Sequence, residues 1–166
     1  MKKICFIINP IAGKGKQKGI ENQINKYLDL EKYSYEIQYT QRAQHAIELS
    51  REASLQFDIV VAVGGDGTIN EVSNGMVGAK SAMGIIPVGS GNGLSRHLGI
   101  PLHVIQAIRL LNNHKIIKID SVKANDYHFV NVAGLGFDAL IAHRFAEFGR
   151  RGFFPYIYIP VTEYSK

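Results

Sequence analysis

The stretch FDIVVAVGGDGTINEV, residues 57–72, limits what this chain can fold into more than any other part of it. Phe57 to Val63 is a nearly continuous apolar and β-branched run. A strand that is hydrophobic on both faces belongs inside a parallel sheet, with helices covering it above and below. Gly64, Gly65 and Gly67 then break the strand, and Ile69 to Val77 resumes with helical spacing. Strand, glycine turn and helix in that order make half of a βαβ unit.

The flanking sequence repeats the alternation. Ile4 to Ile8 is a short apolar run stopped by Asn9-Pro10, and Gly13 and Gly15 open a loop after it. Gln17 to Leu28 carries Ile20, Ile24, Tyr27 and Leu28 on one helical face. Tyr33 to Thr40 alternates as a strand, and Arg42 to Ser54 is amphipathic. Ala82 to Val88 is another buried strand, followed by a loop at Gly89 to Asn92, and Leu102 to Leu111 is helical after Pro101. Strands and helices joined by short connections predict an α/β domain with a doubly wound, mostly parallel sheet over residues 1–113.

The texture changes at residue 114. Lys115 to Lys123 alternates, Asn125-Asp126 is a turn signal, and Tyr127 to Ala133 alternates again, which predicts an antiparallel hairpin. Asp138 to Phe148 has the spacing of a helix, and Phe153 to Val161 is nearly all apolar. Residues 114–166 therefore read as the start of a second, mainly β unit, too short to close with its edges paired.

Composition narrows the function classes. Hydrophobic residues make up 46% of the 166, enough for a core, and charged residues 20%, which argues against global disorder. The net charge of +5 favours anionic partners, but no basic run has the length of a nucleic-acid arm. The single cysteine, Cys5, lies in a strand pattern and is expected to be inert core. With no secretory leader pattern, it points to a cytoplasmic protein. No apolar run approaches the ~20 residues of a spanning helix, so any membrane contact is expected to be peripheral. The six histidines are scattered without metal-ligand spacing.

Three loops carry the chemistry. In the first, Gly64, Gly65 and Gly67 let phosphate oxygens approach backbone N–H groups at a helix N-terminus, with Thr68 as the expected N-cap. Asp66 is the odd residue there. Its carboxylate either works through Mg²⁺ or takes a proton from a hydroxyl, or else it simply bonds to the backbone of a structural turn. The spacing is neither that of a Walker A loop nor of GxGxxG. The second loop, PVGSGNGLSRHLGIP at 87–101, sets Ser90 and Asn92 among Gly89, Gly91 and Gly93. The third, IINPIAGKGK at 7–16, ends the first strand in Asn9, with Lys14 and Lys16 beside it as phosphate attractors or as a solvated basic loop. Several loops at strand ends suit a ligand crevice at the C-terminal edge of a sheet.

NPIAGKG, GGDGTINEV and PVGSGNG, in this order and followed by VNVAGLGFDA at 130–139, resemble the catalytic domain of the diacylglycerol, sphingosine and ceramide kinase family. The GGDGT element alone is shared with NAD kinases. The resemblance extends over essentially the whole chain. It implies a 6-phosphofructokinase-like first domain and a β-sandwich second domain, here incomplete, with ATP and a lipid between them. Carried over by motif, Asn9, Gly64, Gly65, Gly67, Thr68, Glu71, Gly89, Ser90 and Asn92 are implied to line the nucleotide site, with Thr40 a weaker candidate. Asp66 is implied to be catalytic and to face Mg²⁺, and Asp120 to join a metal network or else to be a plain surface residue. Asp138 is implied to lie toward the lipid, or else to cap a helix.

Two features depart from that family's pattern. Many bacterial diacylglycerol kinase relatives carry Asp after the Asn of the second loop, where this chain has Gly93. Relatives are also usually nearly twice as long, so the chain is expected to be a truncated product. The expected activity is ATP-dependent phosphorylation of a lipid hydroxyl at a membrane surface, with self-association and no nucleic-acid partner. An NAD kinase-like enzyme and a catalytically silent nucleotide-binding module are the alternatives.

Overall fold

The computed structural model describes residues 1–15, 19–134, 136, 139–141 and 143–144. Contacts divide the chain into two compact units, Met1–Asn131 and Val132–Lys166. The first contains both the α/β layer and the hairpin.

Four parallel strands form the sheet of the first unit: β1 (Lys2–Ile8), β2 (Tyr33–Tyr39), β3 (Ile59–Gly64) and β4 (Ala82–Pro87), in the order β2-β1-β3-β4. All six residues of β3 are buried, as its unbroken apolar run demands. The edge strand β2 instead mixes polar and apolar residues, and its Tyr39 donates to the Glu21 carboxylate. That bond, with burial and the Glu21 charge adding to it, pushes the Tyr39 phenol up to about 12.

Side chains alternate across the sheet and so feed two separate cores. Ile4, Phe6, Ile8, Val61, Val63 and Ile86 pack with helices α1 (Ile20–Tyr27) and α5 (Val104–Asn112) on one face. Cys5, Ile7, Val60, Ala62 and Ile85 pack with α2 (His45–Ala53) and α3 (Asp66–Gly75) on the other. Each helix gives one apolar stripe, such as Ile69 and Val72 of α3. Helices on both faces of a parallel sheet confirm the doubly wound α/β reading. Cys5 is core, and burial, with Glu36 nearby, pushes its thiol up to about 12.

The chain leaves β1 toward α1 on one face and leaves β3 toward α3 on the other. The sheet's topological switch point therefore lies between the C-terminal ends of β1 and β3.

Three expectations need correction. Helix α3 begins at Asp66 rather than Ile69, with Gly65 at the cap position. Thr68 therefore lies inside the first turn and is not the N-cap. Its hydroxyl oxygen accepts from Asn9 instead. Residues 115–123 form a strand only at Val122–Ala124 (β5), paired antiparallel with Tyr127–Phe129 (β6) around an Asn125 turn at φ 54°. Ile116, Ile117 and Ile119 of the intended strand stand exposed, because among the described residues no neighbouring strand pairs with them. Lastly, α2 starts at His45, since residues 41–44 make a turn with Gln44 in the left-handed region.

The hairpin is anchored to α3 by one side chain. Asn74 Nδ2 donates to the His128 carbonyl at 2.7 Å, and the His128 N–H donates to Asn74 Oδ1 at 3.0 Å. The carboxamide thus imitates a strand partner for β6. In the second unit, residues 139–141 and 143–144 are helical, within the helix expected there, and Leu140 N–H donates to the Gly136 carbonyl. The apolar stretch at 153–161 lies outside the described residues.

Candidate functional site

All four strands end at one edge, and their following loops meet there. Asn9 follows β1. Its backbone N–H donates to the Val63 carbonyl at 3.0 Å, its Oδ1 accepts from Ile11 N–H, and its Nδ2 donates to Thr68 Oγ1 at 3.1 Å. One side chain thereby joins the end of β1 to the first turn of α3 across the switch point. Thr40 follows β2, nearly buried, with its N–H on the Ile8 carbonyl at 3.0 Å.

The first glycine loop is shaped by close approach. A Cβ at Gly64 would run into the Thr68 side chain, and one at Gly65 would stand 3.2 Å from Gly89 Cα. Gly67 differs from both, since a Cβ there would meet nothing within 4 Å. The first internal bond of α3 is Ile69 N–H to the Gly65 carbonyl, so the N–H groups of residues 66–68 precede its ladder. With no side-chain cap at Gly65, the N–H groups of this first turn have no capping partner among the described residues and carry the positive end of the helix dipole.

The second glycine loop lies directly against the first. A Cβ at Gly89 would stand 2.6 Å from Gly65 Cα and 2.9 Å from Asn92 Oδ1. Asn92 is left-handed at φ 56° and 5% exposed. Its Nδ2 donates to the Gly89 carbonyl at 2.8 Å, while its Oδ1 is buried without a partner among the described residues. Ser90 is exposed at the loop's crest. Arg96, on the short helix α4 (Gly93–His97), donates from Nε to the Gly91 carbonyl at 2.9 Å.

Asp66 connects the two loops. Its Oδ2 accepts from Asn92 N–H at 2.8 Å and its Oδ1 from Gly93 N–H at 2.7 Å. The carboxylate supplies the cap that α4 lacks from its own sequence. The backbone-bonding reading of Asp66 is therefore realised, and it leaves the other open. Each carboxylate oxygen has a second lone pair, and Asp66 is exposed.

Glu71 reaches α2, where its Oε2 accepts from Ala46 N–H at 3.3 Å. It thus places negative charge at the positive end of that helix. Asp120 stands exposed in the irregular stretch before β5, and Lys16 and Asp138 lie outside the described residues. Among the described residues no group of three or more His, Cys, Asp or Glu side chains could hold a metal ion.

The arrangement includes groups the sequence did not single out. The N–H groups of Asn92 and Gly93, the Arg96 guanidinium and the Asn131 carboxamide all come from outside the first loop. Arg96 had one legible trace, its place in the helix directly after a glycine loop. Asn131 had none.

This edge has the features a phosphate-bearing ligand would need. It has uncapped N–H groups, an open approach at Gly67 and a carboxylate with free lone pairs. Mg²⁺ is commonly held by one or two carboxylates together with ligand phosphates, and Asp66 is the carboxylate between these loops that could take such a part.

The comparisons agree with the geometry. Residues 3–124 match the family model described as diacylglycerol kinase catalytic domain. The chain is 36% identical over 140 residues to a diacylglycerol kinase of Bacillus subtilis, covering 82% of this chain and 46% of that protein. It is 34% identical over 140 residues to a diacylglycerol kinase of Staphylococcus haemolyticus, covering 82% of this chain and 42% of that one. A crystal structure of a diacylglycerol kinase from Bacillus anthracis superposes with a TM-score of 0.68 at 29% identity, over 77% of this chain and 45% of that chain. The chain spans about half the length of the curated relatives it matches. The family match over residues 3–124, most of the chain, shows that the chain belongs to the diacylglycerol kinase catalytic-domain family.

Proposed function

We propose that the crevice at the ends of β1 and β3 is the nucleotide site of an ATP-dependent lipid kinase, with Mg²⁺ and a lipid hydroxyl as the other reactants. The observation that carries this reading is the contact of the two glycine loops at Gly65 and Gly89, beside the open first turn of α3. Together they form a backbone-lined cradle with no side chain in the way at Gly67. Relatives named diacylglycerol kinase support the reaction class.

Bound MgATP supplies the phosphoryl group, with its charge partly neutralised by the cation. The chain's residues would bind and orient it. The N–H groups of residues 66–68 donate to phosphate oxygens, and Asn9 keeps Thr68 in place so that the turn stays preorganised. Asp66 holds the second loop with two lone pairs and faces the cation with those remaining. Asn92 shapes the same wall from beneath, its Nδ2 holding the Gly89 carbonyl. The lipid would be reached at a membrane surface.

Calorimetry with ADP and Mg²⁺ on the 166-residue chain tests the site, with binding expected at millimolar nucleotide or below. Absence of heat at that concentration would remove the nucleotide assignment. Transfer of labelled phosphate from ATP to diacylglycerol or sphingosine in mixed micelles tests the acceptor class. Where that activity is measurable, Asp66→Asn is expected to lower turnover at least ~100-fold.

A further inference from the structure

The β5–β6 hairpin is held to the rest of the first unit by very little. Among the described residues, its strands are joined to that unit by hydrogen bonds only through Asn74. Val130, just after β6, packs against the core that α3 helps to form. All three residues of β5 are exposed, as are Ile116, Ile117 and Ile119 before it.

The clamp has one fixed side. Asn74 Nδ2 carries two hydrogens. It donates to the Asn70 carbonyl of its own helix at 2.8 Å and to the His128 carbonyl at 2.7 Å. Its rotamer is therefore held whether or not the hairpin is in place. The helix beneath it is fixed as well, since a Cβ at the next residue, Gly75, would run into Ser50 Oγ and the Ile47 carbonyl of α2. The hairpin is then the side that can move. Docking also leaves it with a defect, because His128 Nδ1 is buried without a hydrogen-bond partner among the described residues. Two backbone groups gain a partner and one ring nitrogen loses water, so the docked state is only weakly favoured.

We propose that Asn74 is a latch, and that the hairpin lifts from α3 and returns as one body while the sheet stays folded. The hairpin leads directly into the second unit, which begins at Val132. With the latch closed, the chain entering that unit is fixed to α3, the helix that carries Asp66 at its first residue. With the latch open, that chain is released from α3. The proposal goes beyond the nucleotide reading and does not depend on it.

Amide hydrogen exchange read by NMR on the 166-residue chain tests the latch. N–H groups alternate in direction along an antiparallel strand, so those of Tyr127 and Phe129 face β5 rather than Asn74. A two-stranded hairpin is not stable alone, so these amides also lose protection when it lifts. In the unaltered chain they should exchange faster than the amides of β3. Asn74→Ala removes both bonds to His128 and should quicken them about tenfold or more. Alanine is the better helix former, so α3 itself is not weakened. His128→Phe removes the unpaired nitrogen and should slow them. Neither change should alter exchange in β3 or the melting temperature. Asn74→Asp keeps an acceptor for the His128 N–H and gives up the donor, so it should fall between, and it carries the test if Asn74→Ala fails to fold. Hairpin amides as slow as those of β3 in the unaltered chain would overturn the proposal. So would hairpin and β3 amides quickened by the same factor when Asn74 is replaced, or faster hairpin exchange in His128→Phe.

Discussion

The two glycine loops look alike in sequence and are built differently. The first leads straight into the ten-residue helix α3, and two of its glycines are required by neighbours, Thr68 against Gly64 and Gly89 against Gly65. The second leads into a helix of five residues, too short to hold itself. It is held by others: Asp66 from the first loop, Arg96 from behind, and Asn92 folding back on Gly89. A loop that continues into a long packed helix inherits its shape, whereas one that does not must be tied down by tertiary hydrogen bonds. Asp66 is where the second loop depends on the first.

The sharpest way to break this pairing is Gly89→Ala. The new Cβ would lie 2.6 Å from Gly65 Cα, and backbone cannot swing aside as a side chain does. Overpacking of this kind costs roughly 1–3 kcal/mol, so denaturant melts should show the largest loss of the set, with ADP binding gone.

Next comes Asp66→Asn. It is not a shape-neutral change here, because one carboxamide atom becomes a donor facing the N–H of Asn92 or Gly93. Since these N–H groups are partly solvated, the loss should be on the order of 1 kcal/mol. Amide exchange should quicken at Asn92 and Gly93 while the core of β3 stays protected. Equal loosening of both loops would contradict the one-way dependence.

Gly67→Ala separates shape from binding. The space at Gly67 is open, and alanine in place of glycine in a helix is favourable by up to ~1 kcal/mol. Stability should hold or rise slightly. ADP affinity should fall on the order of tenfold, the worth of one hydrogen bond to a charged group. Unchanged affinity would mean that phosphate does not approach the backbone at Gly67.

The smallest expected effect is a control in β1, away from both loops. The Cys5 thiol is pushed up to about 12 from an ordinary 9.0, so it stays protonated in the native chain across neutral and mildly alkaline pH. A disulfide reagent at pH 8 should leave it unmodified until denaturant is added. Because the folded value is the raised one, its contribution to stability is complete below about pH 9 and is lost as pH rises toward 12. Cys5→Ala should remove that alkaline slope and leave ADP binding unchanged.

Legibility in the sequence followed the source of each constraint. The strands of the sheet were readable because burial on both faces leaves an apolar run, as in β3. The glycine loops were readable because close backbone approach excludes side chains. The start of α3 is not legible locally, because the N-cap rule favours Thr68 over Gly65 and nothing nearby shows that Asn9, 59 residues away, claims the Thr68 hydroxyl. The stretch 115–123 alternates like a strand yet pairs only at its end, because alternation states which residues could face a core and not whether a strand neighbour is there.

From local chemistry alone, this protein's residues determine an α/β layer, the edge where its loops gather, and glycine where one backbone segment comes close to another. Those features depend on periodicity and on volumes that each short segment carries by itself. Only the tertiary structure decides that Asp66 caps α4, that Glu71 meets Ala46, and that Asn131 lies over Gly93. Each of these joins residues distant in sequence through one hydrogen bond or one contact. Such a partner is selected by how the helices and strands pack, and no periodicity in the chain encodes it.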